Sequence, residues 1–279
     1  MTSTPMPMLA SAMAAPITGA AFDRQFASGW KLEEKLDGHR VIVIVDDGQV
    51  AAYSRPRGSR SPANRRALPD HIIEQLWDLG DGIYDGELVL PGGTASDVVA
   101  TVNARSLMLA LFDVLDIGGL NLRHQRYDFR RAQLLSVLAN LHVDQRAITT
   151  VESRTPRWAD VKAIWKRGGE GAILKRVTSG YFEGRRSPDW LKVKASAAAV
   201  LRIIGYESGK SGPYSKLKLR EESSGVETTV KTLGHAMLAD ITANPSGFVG
   251  RRVVISYQQR TVTGTFRHGI FDHFAGEDE

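Results

Sequence analysis

The chain contains no cysteine in its 279 residues. The absence of thiols excludes disulfide bonds, thiolate nucleophiles and cysteine-ligated zinc sites. Long apolar runs are also absent, and no stretch approaches the roughly 20 residues of a membrane-spanning helix. The mildly apolar residues 6–15 follow no Lys or Arg and are interrupted by proline, so we interpret them as a lead-in to the fold rather than a signal peptide.

Lys and Arg residues outnumber Asp and Glu residues, 36 to 31, which gives a formal net charge of +5. An excess of Lys and Arg favours polyanionic partners, and clustered basic residues favour contacts with phosphate. Two arginine clusters stand out: Arg55, Arg57, Arg60, Arg65 and Arg66, and then Arg123, Arg126, Arg130 and Arg131. We expect at least one cluster to contact phosphate, the alternative being a solvated loop or helix face.

Strand and helix patterns alternate through the first two thirds of the chain. The β-branched residues 41–45 predict a buried strand, and Asp46-Asp47-Gly48 predicts a hairpin turn to a returning strand at 50–54. Further strands are predicted at 83–90 and 107–115, and helices at 68–79, 127–141 and 158–167. Hairpins mixed with helices predict an α+β domain of mixed and antiparallel sheets.

The pattern changes after Lys194. Residues 195–199 are small and predict a hinge. Short strands are then predicted at 200–207, 215–222, 226–232, 251–258 and 261–267, with one helix near 236–243. Five short strands favour a small all-β barrel of the OB type, although a sandwich or an SH3-like barrel gives a similar pattern. We therefore predict two domains, residues 1–195 and 196–279.

A candidate nucleophile stands just ahead of the first buried strand, in Lys35-Leu36-Asp37-Gly38-His39-Arg40. A lysine attacks phosphorus only as the neutral amine, which nearby cations and partial burial favour. Arg40, Lys192 and Lys194 are candidate neighbours. By itself the hexapeptide is a weak signal, because an exposed lysine before a strand is common.

Two acidic stretches add weight to this lysine. Asp85 and Glu87 lie two apart on a predicted strand, so both side chains point to one face, where a carboxylate can hold a ribose hydroxyl or a metal. Glu170 follows two glycines, which let the backbone approach a ligand. Lys175 is five residues further on, and in a regular strand this odd spacing places it on the opposite face from Glu170.

A cationic strand face completes the set. Lys192 and Lys194 alternate with apolar residues after Trp190, which is the pattern of a half-buried strand. Two ammonium groups on one face can neutralise a transferring phosphate. Phe112, on an otherwise apolar strand, has the pattern of a core residue.

In this order and at these spacings, the five stretches resemble the ATP-dependent DNA ligases of the covalent nucleotidyltransferase superfamily. The likeness covers residues 33–194, and the barrel-like tail continues the same domain order. Within that family the chain looks like a minimal bacterial or phage-type ligase, with a nucleotidyltransferase domain followed by an OB domain. The resemblance implies a DNA ligase that seals nicks in duplex DNA through a lysyl-AMP and then a 5′-adenylylated DNA.

The resemblance also implies the roles of single residues. Lys35 becomes the lysyl-AMP, and Arg40, Lys192 and Lys194 complete the catalytic set. Glu33, Arg55, Glu87 and Phe112 join these four as nucleotide-binding residues: Glu33 beside adenine, Phe112 stacked on it, and Glu87 on the ribose. Glu170 and Glu87 are the implied metal ligands. The implied cofactors are ATP and Mg²⁺, with Mn²⁺ as an alternative.

Two departures from the family pattern stand out. The loop at Ser54-Arg55-Pro56-Arg57-Gly58 is one residue longer than the usual Ser-Arg-x-Gly. Family members usually end with Arg-x-Asp-Lys, which orients pyrophosphate during self-adenylylation, but no Lys or Arg follows Arg267 here. Arg267 is the only candidate substitute, and we expect a slow first step or an abbreviated C-terminus.

The implied partner is nicked duplex DNA, with repair or replication proteins as further candidates. We expect a monomer in the cytoplasm of a bacterial or phage-infected cell, associated with the nucleoid and not with membranes. Two alternatives stay open. One is an RNA ligase or an mRNA capping-type nucleotidyltransferase, and the other is a protein that binds nicks without adenylylating itself.

Overall fold

The computed structural model describes residues 5–13, 19–55, 64–101, 103–141, 147–194, 197–209, 212–231, 235–257, 259–261, 263–267 and 269–276. The chain divides into two compact units, Met1–Val193 and Lys194–Glu279. Within the described stretches, no helix has both the length and the apolar character needed to cross a membrane.

The first unit contains a seven-stranded sheet, in which β9 pairs with β7 and the other strands follow the order β5-β4-β3-β6-β7-β8. Its strands are β3 (His39–Asp46), β4 (Gln49–Ser54), β5 (Asn64–Arg66), β6 (Gly82–Val89), β7 (Met108–Ile117), β8 (Leu120–Asn121) and β9 (Ile148–Thr150). The predicted hairpin is confirmed: Asp47 and Gly48 both have positive φ, 46° and 71°, as a type I′ turn requires.

A second sheet lies in the same unit, in the order β1-β12-β11-β2-β10. Its strands are β1 (Leu9–Ala12), β2 (Trp30–Glu34), β10 (Ser153–Arg154), β11 (Gly171–Arg176) and β12 (Arg186–Lys194). The lead-in strand β1 pairs in parallel with β12, and Met8 just before it is fully buried. The N-terminal segment is therefore part of the core, as the sequence analysis expected of a lead-in to the fold.

The described part of this unit contains five α-helices: α1 (Gly19–Phe26), α2 (Asp70–Leu79), α3 (Ala95–Ala100), α4 (Tyr127–Leu138) and α5 (Trp158–Lys166). The predicted helices α2, α4 and α5 are confirmed, although α4 ends earlier than residue 141. Helices α1 and α3 are not predicted by the apolar pattern because both are short. A capping box at Thr94 and Asp97 specifies α3 instead.

The second unit is a closed five-stranded barrel in the order β13-β14-β15-β19-β16. Its strands are β13 (Ala197–Gly209), β14 (Gly212–Arg220), β15 (Glu227–Lys231), β16 (Arg252–Tyr257) and β19 (Ile270–Phe274), and α6 (His235–Ala243) lies between β15 and β16 in the chain. The barrel interior is apolar and includes Leu201, Leu217 and Ile255.

Two sequence predictions for this unit are wrong. The fifth barrel strand was expected at 261–267, but these residues belong to a separate hairpin of β17 (Gln259–Arg260) and β18 (Phe266–Arg267). The β-branched Thr261 and Thr265 suggest a strand, yet their hydroxyls bond to each other and close the turn. Residues 197–199 of the expected hinge are already part of β13, paired with β16, while 195–196 lie outside the described residues.

Candidate active site

A cleft of about 1100 Å³ opens in the first unit, lined by residues of both sheets. This volume is at the upper end of the range for small-molecule sites. Seven of the predicted site residues line it: Glu33, Lys35, Arg40, Arg55, Glu87, Phe112 and Lys192. These side chains come from strands far apart in the sequence, so the fold gathers the predicted set into one place.

Lys35 directly follows β2, and the Gly168–Gly169 turn brings an acid against it. The Lys35 amide donates to the Gly171 carbonyl oxygen at 2.9 Å, and Lys35 Nζ donates to Glu170 Oε2. The side chain of Lys35 is 26% exposed and that of Glu170 is 8% exposed. The direct partner of the candidate nucleophile is thus a carboxylate, that of Glu170.

Gly38 shows why this turn needs a glycine. A Cβ atom on Gly38 would overlap the Leu88 carbonyl oxygen and lie 2.8 Å from Val89 Cγ1 and 2.9 Å from Glu87 Cγ. Atoms that close repel strongly in a packed interior. The close approach of this segment to β6 is therefore the physical reason for a glycine at position 38.

Arg40 is oriented by a buried carboxylate. Its Nε donates to Asp85 Oδ1 at 2.9 Å and its Nη2 donates to Asp85 Oδ2 at 2.6 Å, while Asp85 is fully buried. Tyr181 Oη also donates to Asp85 Oδ2, at 2.6 Å, and accepts from the Met8 amide at 3.0 Å. Burial opposes the charge of Arg40, but Asp85 outweighs it and raises the arginine pKa.

Glu87 lies opposite Arg40 in the pairing of β3 with β6. Burial raises the pKa of Glu87 to about 7, while Arg40 and Lys35 oppose this shift and Glu170 adds to it. Asp85 and Glu87 therefore both lie near Arg40, as expected for residues two apart. Asp85 binds the guanidinium of Arg40, whereas Glu87 lines the cleft.

One end of the cleft is aromatic and carries a buried ion pair. Phe112 and Trp190 meet edge to face, with ring centroids 6.3 Å apart. Lys175 Nζ lies 4.6 Å from the Phe112 centroid, 4.2 Å from the Trp190 centroid and 2.7 Å from Glu33 Oε2. Burial lowers the pKa of Lys175, and Glu33 opposes that effect.

Lys175 lies in the site, although its odd spacing from Glu170 predicts the opposite face of a regular strand. Lys175 lines the cleft together with Ile173, two residues before it on β11. Glu170 precedes β11 and lies in the glycine-rich turn, so the alternation of a regular strand does not apply between them. Both residues consequently reach the same site from different local conformations.

The two lysines of β12 differ in position. Lys192 lines the cleft, but Lys194, the last residue of the strand, is not among the described residues that line it. Lys194 also falls in the second compact unit. The structure of the first unit thus brings only Lys192 of this pair to the site.

The two arginine clusters have different roles. Arg55, Arg65 and Arg66 line the cleft, while Arg57 and Arg60 lie outside the described residues.

The arginines of the second cluster pair with groups of the protein itself. Arg130 is fully buried in a two-bond pair with Asp113, both bonds at 2.8 Å. Arg131 is buried against Thr150 and the Val151 carbonyl oxygen. Arg123 pairs with Glu183 at 2.9 Å, and Arg126 pairs with Asp128 at 2.6 Å. For Arg130 and Arg131 the interpretation as a phosphate-binding surface is wrong.

The acidic residues suit one kind of metal site. Among the described residues, no three or more His, Cys, Asp or Glu side chains are placed to hold a metal ion. Glu87 and Glu170 offer two carboxylates near the candidate nucleophile. Mg²⁺ is commonly held by one or two carboxylates together with phosphate oxygens and water, so this donor set fits it. The side chain of Arg267, the candidate substitute in the C-terminal motif, lies outside the described side chains.

Two tyrosines of the site have no signal in the sequence. Tyr127 and Tyr181 are both buried, and each hydroxyl donates to a carboxylate of the site, Tyr127 to Glu33 and Tyr181 to Asp85. Each partner is more than 90 residues away in the chain. Only the fold reveals these contacts.

Comparison with known proteins gives a consistent result. A family model described as the ATP dependent DNA ligase domain matches residues 7–194. The multifunctional non-homologous end joining protein LigD of Pseudomonas aeruginosa is 31% identical in an alignment of 217 residues that covers 74% of this chain and 24% of that protein. A probable DNA ligase of Streptomyces griseus is 29% identical in an alignment of 247 residues that covers 76% of this chain and 45% of that protein. The chain spans less than half the length of these relatives.

Solved structures share the fold. A structure from a study of DNA binding with a minimal scaffold by Lig E DNA ligases has a TM-score of 0.71 and 19% identity. The superposition covers 96% of this chain and 99% of the Lig E chain. The ligase domain of M. tuberculosis LigD has a TM-score of 0.59 and 24% identity, and covers 97% of this chain and 95% of its own. Because the family model covers two thirds of the sequence and includes the whole cleft, this chain belongs to the ATP-dependent DNA ligase family.

Proposed function

We propose that this protein is an ATP-dependent DNA ligase that seals nicks in duplex DNA. The observation that carries the proposal is the distribution of groups in the cleft. An aromatic end with an acidic acceptor suits a purine base, and the lysine and arginine side chains beyond it suit phosphates. Lys35 lies in the same cleft, beside Arg40 and Glu87.

The first step is attack of Lys35 Nζ on the α-phosphorus of ATP. Lys35 attacks as the neutral amine, so its ammonium proton leaves first, and the ion pair with Glu170 opens as the phosphate takes its place. A nitrogen–phosphorus bond then forms, the α–β phosphoanhydride bond breaks, and pyrophosphate leaves. Arg40, held by Asp85, and Lys192 stabilise the charge that develops on the phosphate oxygens.

The next two steps use DNA. The AMP is transferred from Lys35 to the 5′-phosphate at the nick, and the 3′-hydroxyl then attacks that phosphate and releases AMP. The protein mainly positions these groups. Mg²⁺, or alternatively Mn²⁺, held by Glu87, Glu170 and phosphate oxygens, supplies charge neutralisation when bound.

We assign nucleotidyl transfer to residues 1–195 and propose an OB fold for residues 196–279. Support for the OB fold comes from the barrel order, in which the third and fifth strands are parallel neighbours through Lys231 and Ile270. Lys194, at the junction of the two domains, stays in the proposed catalytic set. We further propose a monomer that works in the cytoplasm on nucleoid DNA, with repair or replication proteins as partners.

The test is labelling with ATP that carries the label on the α-phosphate, followed by denaturing electrophoresis and peptide mapping. We expect the label on Lys35, none in Lys35→Ala, and normal labelling in the control Lys31→Ala, because Lys31 is on β2, just before Lys35, but is not among the described cleft residues. Label that persists in Lys35→Ala would contradict the assignment.

The same assay separates the alternatives. Labelling by GTP in preference to ATP would favour a capping-type enzyme, and sealing of nicked RNA in preference to nicked DNA would favour an RNA ligase. No label from any nucleotide, combined with binding to nicked DNA, would favour a protein that does not adenylylate itself. A pre-adenylylated nick then shows whether the last step alone is retained.

A further inference from the structure

Tyr127 lies outside the five sequence stretches on which the family resemblance rests, yet it contacts Glu33 at the aromatic end of the cleft. It is the first residue of α4 and is fully buried. Its Oη donates to Glu33 Oε1 and lies 3.1 Å from Ser153 Oγ. A buried hydroxyl requires a hydrogen-bond partner, and here the partner is a cleft-lining carboxylate 94 residues away in the chain.

Glu33 is held from two sides. One carboxylate oxygen accepts from Tyr127, and the other lies 2.7 Å from Lys175 Nζ. Lys175 in turn donates to the Phe112 carbonyl oxygen at 3.2 Å. The glutamate side chain is 3% exposed and lines the cleft, so its orientation is set by these two donors.

The two donors also fix the chemistry of Glu33. Both carboxylate oxygens face donors, Tyr127 Oη and Lys175 Nζ, so the carboxylate acts as a hydrogen-bond acceptor. Its remaining lone pairs can therefore pair with an amino group on a purine but not with a carbonyl oxygen. Sites built from buried polar groups reject mismatched ligands strongly, because the mismatch leaves a buried group unpaired.

We propose that Tyr127 is a positioning residue that sets the purine selectivity of the cleft, by keeping Glu33 as an oriented acceptor for a 6-amino group. The inference rests on the proposed function, since it concerns the nucleotide used in self-adenylylation. Without the Tyr127 hydroxyl, the Glu33 carboxylate keeps only the Lys175 contact of these two and can turn. The binding of a purine with a 6-oxo group is then less unfavourable, because the acceptor no longer points directly at its oxygen.

The experiment compares ATP with inosine triphosphate, whose base has a 6-oxo group in place of the 6-amino group. Both nucleotides carry the label on the α-phosphate, and the rate and KM of Lys35 labelling are measured for the wild type and Tyr127→Phe. We expect the ratio of rate/KM for ATP over inosine triphosphate to fall about tenfold in Tyr127→Phe, chiefly through a higher KM for ATP.

Tyr181→Phe is the matched control. Tyr181 is also buried, its ring centroid lies 5.8 Å from Arg130 Cζ compared with 6.0 Å for Tyr127, and its hydroxyl donates to Asp85 rather than to Glu33. We expect this variant to label more slowly because Arg40 loses a support, but to keep the wild-type nucleotide ratio. Thermal unfolding of both variants confirms that they are folded.

A second variant keeps the test decisive if Tyr127→Phe does not fold. Glu33→Gln carries an amide that donates as well as accepts, so its nucleotide ratio should shift toward inosine triphosphate. A folded Tyr127→Phe protein with the wild-type ratio, or Glu33→Gln with that ratio, overturns the inference while leaving the ligase proposal intact. Absence of label in the wild type contradicts the proposed function, and the inference falls with it.

Discussion

At the scale of single residues, the site depends on close approaches and on buried charges with fixed partners. Gly38 lets the turn after Lys35 contact β6, and Asp85 fixes the guanidinium of Arg40. Neither Gly38 nor Asp85 performs chemistry in the proposed mechanism. Both decide where the groups that do perform it are placed.

Gly38→Ala tests the close approach. The added methyl group overlaps the Leu88 carbonyl oxygen, which belongs to the backbone and cannot move aside cheaply. We expect a loss of about 1–3 kcal/mol in the free energy of unfolding, typical of overpacking, and at least a tenfold slower labelling of Lys35. Urea unfolding and the labelling assay measure the two effects.

Gly276→Ala provides the control for that substitution. No heavy atom lies within 4 Å of a Cβ at this position, and its φ is not in the left-handed region. We expect wild-type stability and labelling. If Gly38→Ala behaves like Gly276→Ala, the turn tolerates a side chain and the close approach does not position Lys35.

At the scale of elements, helix α4 connects the sheet core to the site. Its buried face carries Tyr127, Arg130, Arg131 and Leu134, and is therefore only partly apolar. Arg130 pairs with Asp113 of β7 and also donates to the carbonyl oxygens of Gln125 and Ser179. A single guanidinium thus links α4, β7 and the loop that carries Tyr181.

Arg130→Met tests this link. The variant leaves Asp113 buried without its partner, and breaking a buried pair in this way costs about 3–5 kcal/mol. We expect a loss of that size in the free energy of unfolding by urea. Replacement of both members, in Asp113→Leu with Arg130→Met, should recover much of it because no lone charge remains buried.

Arg126→Met is the corresponding exposed control. Arg126 pairs with Asp128 at the surface, where such pairs contribute little. A cost for Arg130→Met no larger than that for Arg126→Met would show that the buried pair does not support the helix.

At the scale of the whole molecule, the net charge of +5 favours association with a polyanion. The arginines that contribute to this charge lie in two different environments. Arg55, Arg65 and Arg66 line the cleft, whereas the arginines of α4 are used inside the protein. The expected phosphate-binding surface is therefore the part of the cleft lined by Arg55, Arg65 and Arg66, which we call the rim.

The double variant Arg65→Ala/Arg66→Ala tests the rim. Each phosphate contact adds about one unit to the slope of log affinity against log salt, so the slope for nicked DNA should become shallower by about two. Fluorescence anisotropy over a salt series measures it. Arg126→Ala should leave the slope unchanged, and an equal slope in the double variant would exclude the rim as a phosphate contact.

The sequence by itself predicted the helices α2, α4 and α5, the β3–β4 hairpin and most of the barrel strands, because these depend on local patterns of apolar and turn-forming residues. It also placed Lys35, Arg40, Glu87 and Phe112 together, since their spacing resembles a known family. Only the tertiary structure decided the rest. The buried roles of Arg130 and Lys175, the hydroxyl contacts of Tyr127 and Tyr181, and the fifth barrel strand at Ile270–Phe274 all depend on partners far away in the chain. A local pattern carries no information about such partners, because pairing and burial are properties of the packed molecule.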